Sequence, residues 1–174
     1  AKLYTDHVLF TYNQNIAKEA KRVFEMLTNN FRNFRFSHLL ISPFYLRKKL
    51  SDMINNEIRN AKAGKKAAIN LKVNNLMDKS MTDRLYRASR AGVKIRLIVR
   101  SACSVVPGLK NTSENIEIHS IVDKFLEHTR IFWFHNDGNE KIFISSADIM
   151  VRNLDRRVEV AVPVYDKNIQ QELQ

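Results

Sequence analysis

The chain has 174 residues, 44% of them hydrophobic, and its 29 Lys and Arg exceed its 18 Asp and Glu to give a net charge of +11. This length and hydrophobic content support one folded domain with a sizeable core and argue against disorder. The charge favours an anionic partner, such as a nucleotide, a polyphosphate, a nucleic acid or a membrane surface. The single cysteine, Cys103, excludes an internal disulfide, and a reducing compartment is expected. No apolar run is long enough to predict a transmembrane helix.

The first third of the chain is predicted to alternate strands and helices. Residues 7–12 resemble a strand, and residues 15–29 an amphipathic helix that begins at an asparagine cap. The apolar face of this helix is predicted to comprise Ile16, Ala20, Val23, Phe24 and Leu27. A strand over residues 36–42 is followed by a helix over residues 43–63, with Ser42 as its N-cap.

Two basic clusters in this region are each compatible with two roles. The loop at residues 29–35 interleaves phenylalanine with arginine, which suits either base stacking or anchoring of a loop to the core. Arg47, Lys48 and Lys49 fall in the first turns of the second helix, where cations oppose the helix dipole. They are expected to face either a phosphate or solvent.

The middle of the chain predicts a strand–helix–strand unit. Residues 67–73 and 93–99 are apolar strands, and residues 79–91 form a helix between them with Met81, Leu85 and Ala88 facing inward. Such units give parallel strands, and ligands bind beyond the carboxyl ends of those strands. Asn74 and Arg100 immediately follow the two strands, so both are expected near a binding site.

His128 and Arg130 are the clearest candidates for chemistry. They precede an aromatic strand over residues 131–134, and residues two apart in a strand project from the same face. An imidazole can exchange a proton or attack phosphorus, while a guanidinium holds phosphate oxygens. A turn, a strand over residues 141–144, the run Ser145-Ser146-Ala147-Asp148 and a last strand over residues 157–165 follow.

The order His-x-Arg, strand, turn, strand, Ser-Ser-x-Asp, then a strand carrying Glu resembles half of a phospholipase D-type site. FLEHTRIFWFHNDGNEKIFISSADIMVRNLDRRVEVAVPV is similar to the carboxy-terminal domain of the long-chain polyphosphate kinases, as are AKLYTDHVLFT and LKVNNLMDKSMTDRLYRASRAGVKIRLIVRSACSVVPGL. The resemblance implies an α/β fold with a phospholipase D-like mixed sheet flanked by helices. It also implies that residues 1–30 end a preceding phospholipase D-like domain and that residues 31–174 form the carboxy-terminal one.

The resemblance implies a kinase that reversibly transfers the terminal phosphate of ATP to polyphosphate through a phosphohistidine. That histidine belongs to a His-x-Lys motif, which this chain lacks, so His128 is expected to be the partner histidine and the chain to be inactive alone. In the family, the residues matching Tyr4 and Arg100 contact nucleotide phosphate, and Arg130 is expected to neutralise phosphate charge. The family uses Mg²⁺, whose ligands are expected outside this chain.

The expected partners are ATP or ADP, polyphosphate, the rest of the same polypeptide and further copies in a homo-oligomer, with no nucleic acid. A cytoplasmic location is expected, with membrane association left open by the charge. Two alternatives are a phospholipase D-type phosphodiesterase, formed by two identical halves, and a non-enzymatic nucleic-acid-binding module. Glu159 is expected to pair with Arg157 or to orient a site residue, and Ser146 and Asp148 to line the pocket or to cap a strand.

Overall fold

The computed structural model describes residues 4–28, 34–121 and 124–173. Its strands are β1 (Tyr4–Thr5), β2 (Leu40–Ser42), β3 (Ala68–Val73), β4 (Lys94–Val99), β5 (Ile116–His119), β6 (Leu126–Glu127), β7 (Arg130–Phe134), β8 (Lys141–Ser145) and β9 (Glu159–Pro163). Its α-helices are α1 (Gln14–Thr28), α2 (Leu46–Lys62), α3 (Lys79–Arg90), α4 (Val151–Asp155) and α5 (Lys167–Glu172), with a short 3₁₀ turn at Asn136–Gly138.

Most strands join one mixed sheet. Within the described residues its order is β2-β9-β8-β7-β3-β4-β5, and a separate parallel pair joins β1 to β6. The strands β3 and β4 run parallel, as the strand–helix–strand pattern predicts, and β5 also runs parallel to β4. The strands β7, β8, β9 and β2 each run antiparallel to their neighbour. Val73, Val99, Arg130 and Ser145 therefore lie at the same end of the sheet.

Both faces of the sheet are covered by apolar packing. Neighbouring residues of β7 alternate between faces, since Phe132 and Phe134 join the main core while Ile131 and Trp133 join a smaller cluster that includes residues of α5. The main core contains Leu50 of α2 and Leu85 of α3, so these helices lie on the first face. The sheet is thus a middle layer, as expected for the α/β class.

The helix α1 forms where the sequence predicts it, but with a different buried face. Asn13 caps it by accepting from the backbone N–H groups of Asn15 and Ile16. Phe24 and Leu27, which were predicted to be buried, are 71% and 55% exposed. Glu19 is buried instead, because its carboxylate accepts three backbone N–H groups from residues 37–39 and turns the helix toward that segment.

Two predicted boundaries near the amino terminus are wrong. Residues 7–12 form no strand in the structure, and the pairing strand is Tyr4–Thr5. The helix α2 begins at Leu46 rather than at Pro43, and Ser42 is not its cap. The reason is that Ser42 ends β2, pairing with Glu159, and donates its hydroxyl to the backbone oxygen of Asn153.

The first turn of α2 carries an ion-pair junction rather than a solvent-facing or phosphate-facing arginine. Arg47 donates to both carboxylate oxygens of Asp78, at 2.9 and 2.6 Å, and to both oxygens of Asp155. Asp78 also caps α3 by accepting from the backbone N–H of Met81. Burial raises the pKa of Asp78, but the hydrogen bonds from Arg47 and Met81 outweigh it and lower the pKa overall. Arg47 thus fixes α2, α3 and α4 relative to one another.

The three loops that follow β3, β4 and β8 are joined by backbone hydrogen bonds. Leu76 donates to the carbonyl oxygen of Ala102, Met77 donates to that of Ile149, and Ile149 donates to that of Asn75. Cys103 lies beside this junction and packs against the main core, and burial raises the pKa of its thiol. Cys103 therefore acts as a partly buried apolar residue.

Candidate functional site

Arg130 is held at the beginning of β7 by a nearly buried carboxylate. Its Nε donates to Oδ1 of Asp148 at 3.1 Å, and the two side chains are 12% and 6% exposed. Asp148 also accepts from the backbone N–H of Asn74 and from the side-chain amide of Asn75, both at 2.9 Å. Burial raises the pKa of Asp148, but these hydrogen bonds and the Arg130 charge outweigh it and lower the pKa overall. Asp148 therefore stays ionised and keeps Arg130 in place.

Arg100 is connected to the same carboxylate through one residue. Its Nε donates to Oδ1 of Asn74 at 2.9 Å, and the backbone N–H of Asn74 donates to Asp148. Asn74 is 2% exposed, so this link is interior to the loops that follow β3 and β4. Two guanidinium groups, one at the start of β7 and one just after β4, are thus positioned at one end of the sheet by one carboxylate and one amide.

The imidazole of His128 lies between Arg130 and an exposed carboxylate. Nη1 of Arg130 is 3.0 Å from Nε2 and 3.2 Å from Nδ1 of His128, and Nδ1 is also 3.2 Å from Oδ2 of Asp6. Because a carboxylate accepts, the contact of Nδ1 with Asp6 suits the tautomer with its proton on Nδ1 and a lone pair on Nε2. The Tyr4 ring packs edge-on against the imidazole, with centroids 5.5 Å apart.

The segment that carries His128 is attached to the amino-terminal residues and to the sheet. The backbone N–H of His128 donates to the carbonyl oxygen of Thr5, beside the β1–β6 pair. Glu127 accepts from the Thr5 hydroxyl at 2.8 Å and forms an ion pair with Lys72 of β3 at 3.3 Å. These contacts bring Tyr4 and Asp6 next to a histidine more than 120 residues later in the chain.

The structure places the predicted residues Tyr4 and Arg130 each in contact with His128. It links Arg100 to Arg130 through Asn74 and Asp148. Sequence reasoning missed Asp6. Its only local signal was its position two residues after Tyr4, because its partner His128 is 122 residues away.

Two neighbouring predictions have different outcomes. The expected pairing of Glu159 with Arg157 is wrong, since Glu159 accepts from the hydroxyl of Ser146 and from the side-chain amide of Asn153 at 2.6 Å. Ser146 therefore donates to Glu159, whereas Asp148 accepts from Asn74, Asn75 and Arg130. Glu159 is 8% exposed, and its hydrogen bonds connect β9 to the loop after β8. It therefore stabilises that loop and does not pair with Arg157.

The donor set at this site does not suit a magnesium ion. Nowhere among the described residues do three or more His, Cys, Asp or Glu side chains gather where they could hold a metal. Asp148 is already occupied by three donors, and Asp6 is a single exposed carboxylate. Magnesium ions prefer several oxygen ligands in octahedral geometry. No chemical step is therefore assigned to a metal held by these residues.

Comparison with known proteins identifies the family of the chain. A family model described as the polyphosphate kinase C-terminal domain 2 matches residues 39–174. The chain belongs to this family. The polyphosphate kinase of Vibrio cholerae is 53% identical over 173 residues, and that of Escherichia coli K12 is 46% identical over 171 residues. These alignments cover 99% and 98% of the chain but 25% of each relative, so the chain spans about a quarter of their length.

Solved structures confirm the fold predicted for this polyphosphate kinase domain. The polyphosphate kinase of Porphyromonas gingivalis superposes with a TM-score of 0.90 at 44% identity, covering 94% of this chain and 25% of that one. Nuc from Salmonella typhimurium, a phospholipase D family member, superposes with a TM-score of 0.54 at 13% identity, covering 78% of this chain and 86% of Nuc. The similarity to Nuc concerns the fold alone.

Proposed function

We propose that this chain supplies half of the active site of a polyphosphate kinase that reversibly transfers the terminal phosphate of ATP to polyphosphate. The observation that carries the proposal is the cluster of Arg130, His128 and Arg100 around the buried carboxylate of Asp148. Phosphoryl transfer depends on dense positive charge and on accurate placement more than on elaborate covalent machinery. A preorganised pair of guanidinium groups beside an imidazole meets that need.

Each residue has a role that its contacts support. Arg100 and Arg130 donate to non-bridging phosphate oxygens, in positions that Asn74 and Asp148 maintain. His128 exchanges a proton through Nε2 with the oxygen that attacks or leaves the phosphorus. Asp6 accepts from Nδ1 of His128 and so keeps the lone pair on Nε2. Tyr4 is 57% exposed, and its hydroxyl donates to a phosphate oxygen of the nucleotide.

The remaining parts of the enzyme belong to the proposal as well. The phosphohistidine and the Mg²⁺ ligands are supplied by other parts of the same polypeptide, which assembles as a homo-oligomer in the cytoplasm. Residues 1–30 end the preceding domain, and residues 31–174 form this one. The family match to residues 39–174 supports that division. No helix among the described residues is both long and apolar enough to cross a bilayer.

Calorimetric titration of the chain with a short polyphosphate tests the half-site. Arg100→Ala and His128→Ala are each expected to weaken binding by about 1–3 kcal/mol, the scale of a lost hydrogen bond to a charged group. Lys18→Ala is the matched control, because Lys18 is exposed on α1 and outside the site. The chain alone is expected to form no ATP from polyphosphate and ADP.

A single-stranded DNA of equal charge distinguishes this proposal from a general anion surface. DNA is expected to bind more weakly than polyphosphate and to respond little to His128→Ala. Equal binding of DNA, together with no effect of Arg100→Ala and His128→Ala, would overturn the site. Hydrolysis of a bis-aryl phosphodiester that disappears in His128→Ala would instead favour a phospholipase D-type phosphodiesterase.

A further inference from the structure

A second concave surface lies at the end of the sheet opposite the candidate site. It is a groove of about 590 Å³ between α2 and the region where β8, β9 and α5 meet. The strand register sets the separation, because Lys141 in the groove pairs with Phe134, whereas Ser145 at the other end of β8 pairs with Arg130. The groove therefore shares no lining residue with the cluster around Asp148.

The lining of this groove combines an apolar floor with a cationic rim. The apolar part comprises Leu40, Met53, Ile142, Phe143, Pro163 and Val164. The four cationic side chains are Lys49, Arg59, Lys141 and Lys167, against the two carboxylates Asp52 and Glu140. A volume of this size is typical of small-molecule sites, and most of the side chains that line this one are polar or charged.

Two of the cations have neutral hydrogen-bond partners inside the groove. Arg59 donates to the side-chain oxygen of Asn56 at 3.1 Å, and Lys167 donates to that of Gln170 at 2.9 Å. Amide oxygens orient these side chains without cancelling their charge. Asp52 is paired with Lys48 at 2.8 Å, outside the groove lining, which reduces its effect on the four rim cations. The groove is therefore suited to an anion.

An anchored aromatic pair forms one wall. The hydroxyl of Tyr165 lies 2.7 Å from Nδ1 of His38, and the two rings meet edge-to-face. The backbone of His38 is fixed by Glu19, which accepts from the N–H groups of residues 37–39. Burial raises the pKa of Tyr165, and the Glu19 charge adds to this effect, so the phenol stays protonated. The Tyr165 ring is 51% exposed and can stack against a planar group.

We propose that this groove binds a nucleoside phosphate at a site separate from the one around Asp148. The exposed Tyr165 ring suits stacking against a nucleobase, while Lys49, Arg59 and Lys141 suit its phosphates. A bare phosphate chain would leave the exposed Tyr165 ring unused, which favours the nucleoside form. The proposal stands independently of the proposed function, because that function needs only the nucleotide contacts at Tyr4 and Arg100.

Residue-resolved ¹H–¹⁵N NMR of the chain, titrated with ADP, locates any nucleotide bound in the groove. We expect amide shifts in residues 140–143 and 164–168 that follow a saturable curve of their own. Lys141→Glu is expected to raise the Kd of these shifts by about tenfold or more, corresponding to about 1.4 kcal/mol. Arg59→Ala, on α2, is also expected to raise the Kd of these shifts. Lys18→Glu is the control, because it changes the charge by the same amount and should leave the Kd unchanged. Lys18 lies on α1, which packs on the face of β2 opposite Leu40.

Tripolyphosphate and adenosine, titrated separately, are expected to bind the groove more weakly than ADP. Shifts confined to residues 74, 100 and 128–130 would overturn the proposal. Tripolyphosphate binding as tightly as ADP would also overturn it, since the groove would then recognise phosphate alone. Shifts in the groove without shifts near Arg100 and His128 would support this site while contradicting the proposed function.

Discussion

The candidate site has two parts that differ in how they are supported: a cation side formed by Arg130 and Asp148, and an imidazole side formed by His128 and Asp6. Arg130 and Asp148 are 12% and 6% exposed, and Asp148 is bound by donors from two further loop residues. His128 and Asp6 are 36% and 51% exposed and meet at 3.2 Å. The cation side is built into the sheet, whereas the imidazole side depends on a short amino-terminal segment that lies against it.

This difference separates two physical requirements of phosphate chemistry. Fixed positive charge is most effective when it is preorganised, because no reorganisation is then needed as charge develops. A group that exchanges protons must reach solvent or substrate, so some exposure of His128 is compatible with its role. Substitutions on the two sides should therefore act differently, the first on stability and the second on the state of the imidazole.

The largest effect is expected from Asp148→Ala. This substitution leaves Arg130 and two amide donors without a nearly buried acceptor, which should lower the free energy of unfolding by about 3–5 kcal/mol. Urea denaturation measures the change. Asp83→Ala is the matched control, because Asp83 pairs with Lys79 on an exposed face of α3 and should cost at most about 1 kcal/mol. Equal losses in the two variants would contradict the structural role of Asp148.

Acidification should remove the contribution of ionised Asp148 to the free energy of unfolding. The pKa of Asp148 is lower in the folded chain than its ordinary value of 3.8, so the ionised carboxylate stabilises the fold above that pH. This contribution is lost as the pH falls through the folded pKa. Urea denaturation from pH 6 to pH 3 should therefore show a smaller acid-induced loss in Asp148→Asn than in the unsubstituted chain. Parallel pH profiles would contradict this assignment.

Asp6→Asn should change the imidazole side with little effect on stability. The Asp6–His128 pair is exposed, so the free energy of unfolding should change by less than about 1 kcal/mol. The ¹⁵N chemical shifts of the His128 ring should nevertheless change, because the carboxylate that accepts from Nδ1 has been removed. Unchanged ring shifts would contradict the proposed orienting role. Asp52→Asn, remote from His128, serves as the control.

Tyr4→Phe should give the smallest change in stability. The substitution keeps the edge-on contact with His128 and removes only an exposed hydroxyl, so the free energy of unfolding should change by less than about 0.5 kcal/mol. Nucleotide binding should weaken by about 0.5–3 kcal/mol if that hydroxyl contacts phosphate. Titration with ADP measures this loss. Equal affinity in both proteins would exclude Tyr4 from the nucleotide contacts.

The sequence by itself determined the parallel strands, the helix α3 and the positions of Arg100, His128 and Arg130. These features depend on local periodicity and on motifs whose residues lie close together in the chain, as with His128 and Arg130, which are two residues apart. The resemblance to the polyphosphate kinases also rested on runs of contiguous sequence. Helix boundaries were less predictable, as the start of α2 illustrates.

Only the tertiary structure decided which distant groups support one another. Asp6 meets His128 across 122 residues, and Asp148 joins Arg130 to Asn74 and thereby to Arg100. The same reason explains why Glu19 is buried in place of Phe24, since its three backbone donors come from a later segment. Periodicity reports how a residue is placed within its own helix or strand. The partners that satisfy a buried charge are chosen by how the elements pack together.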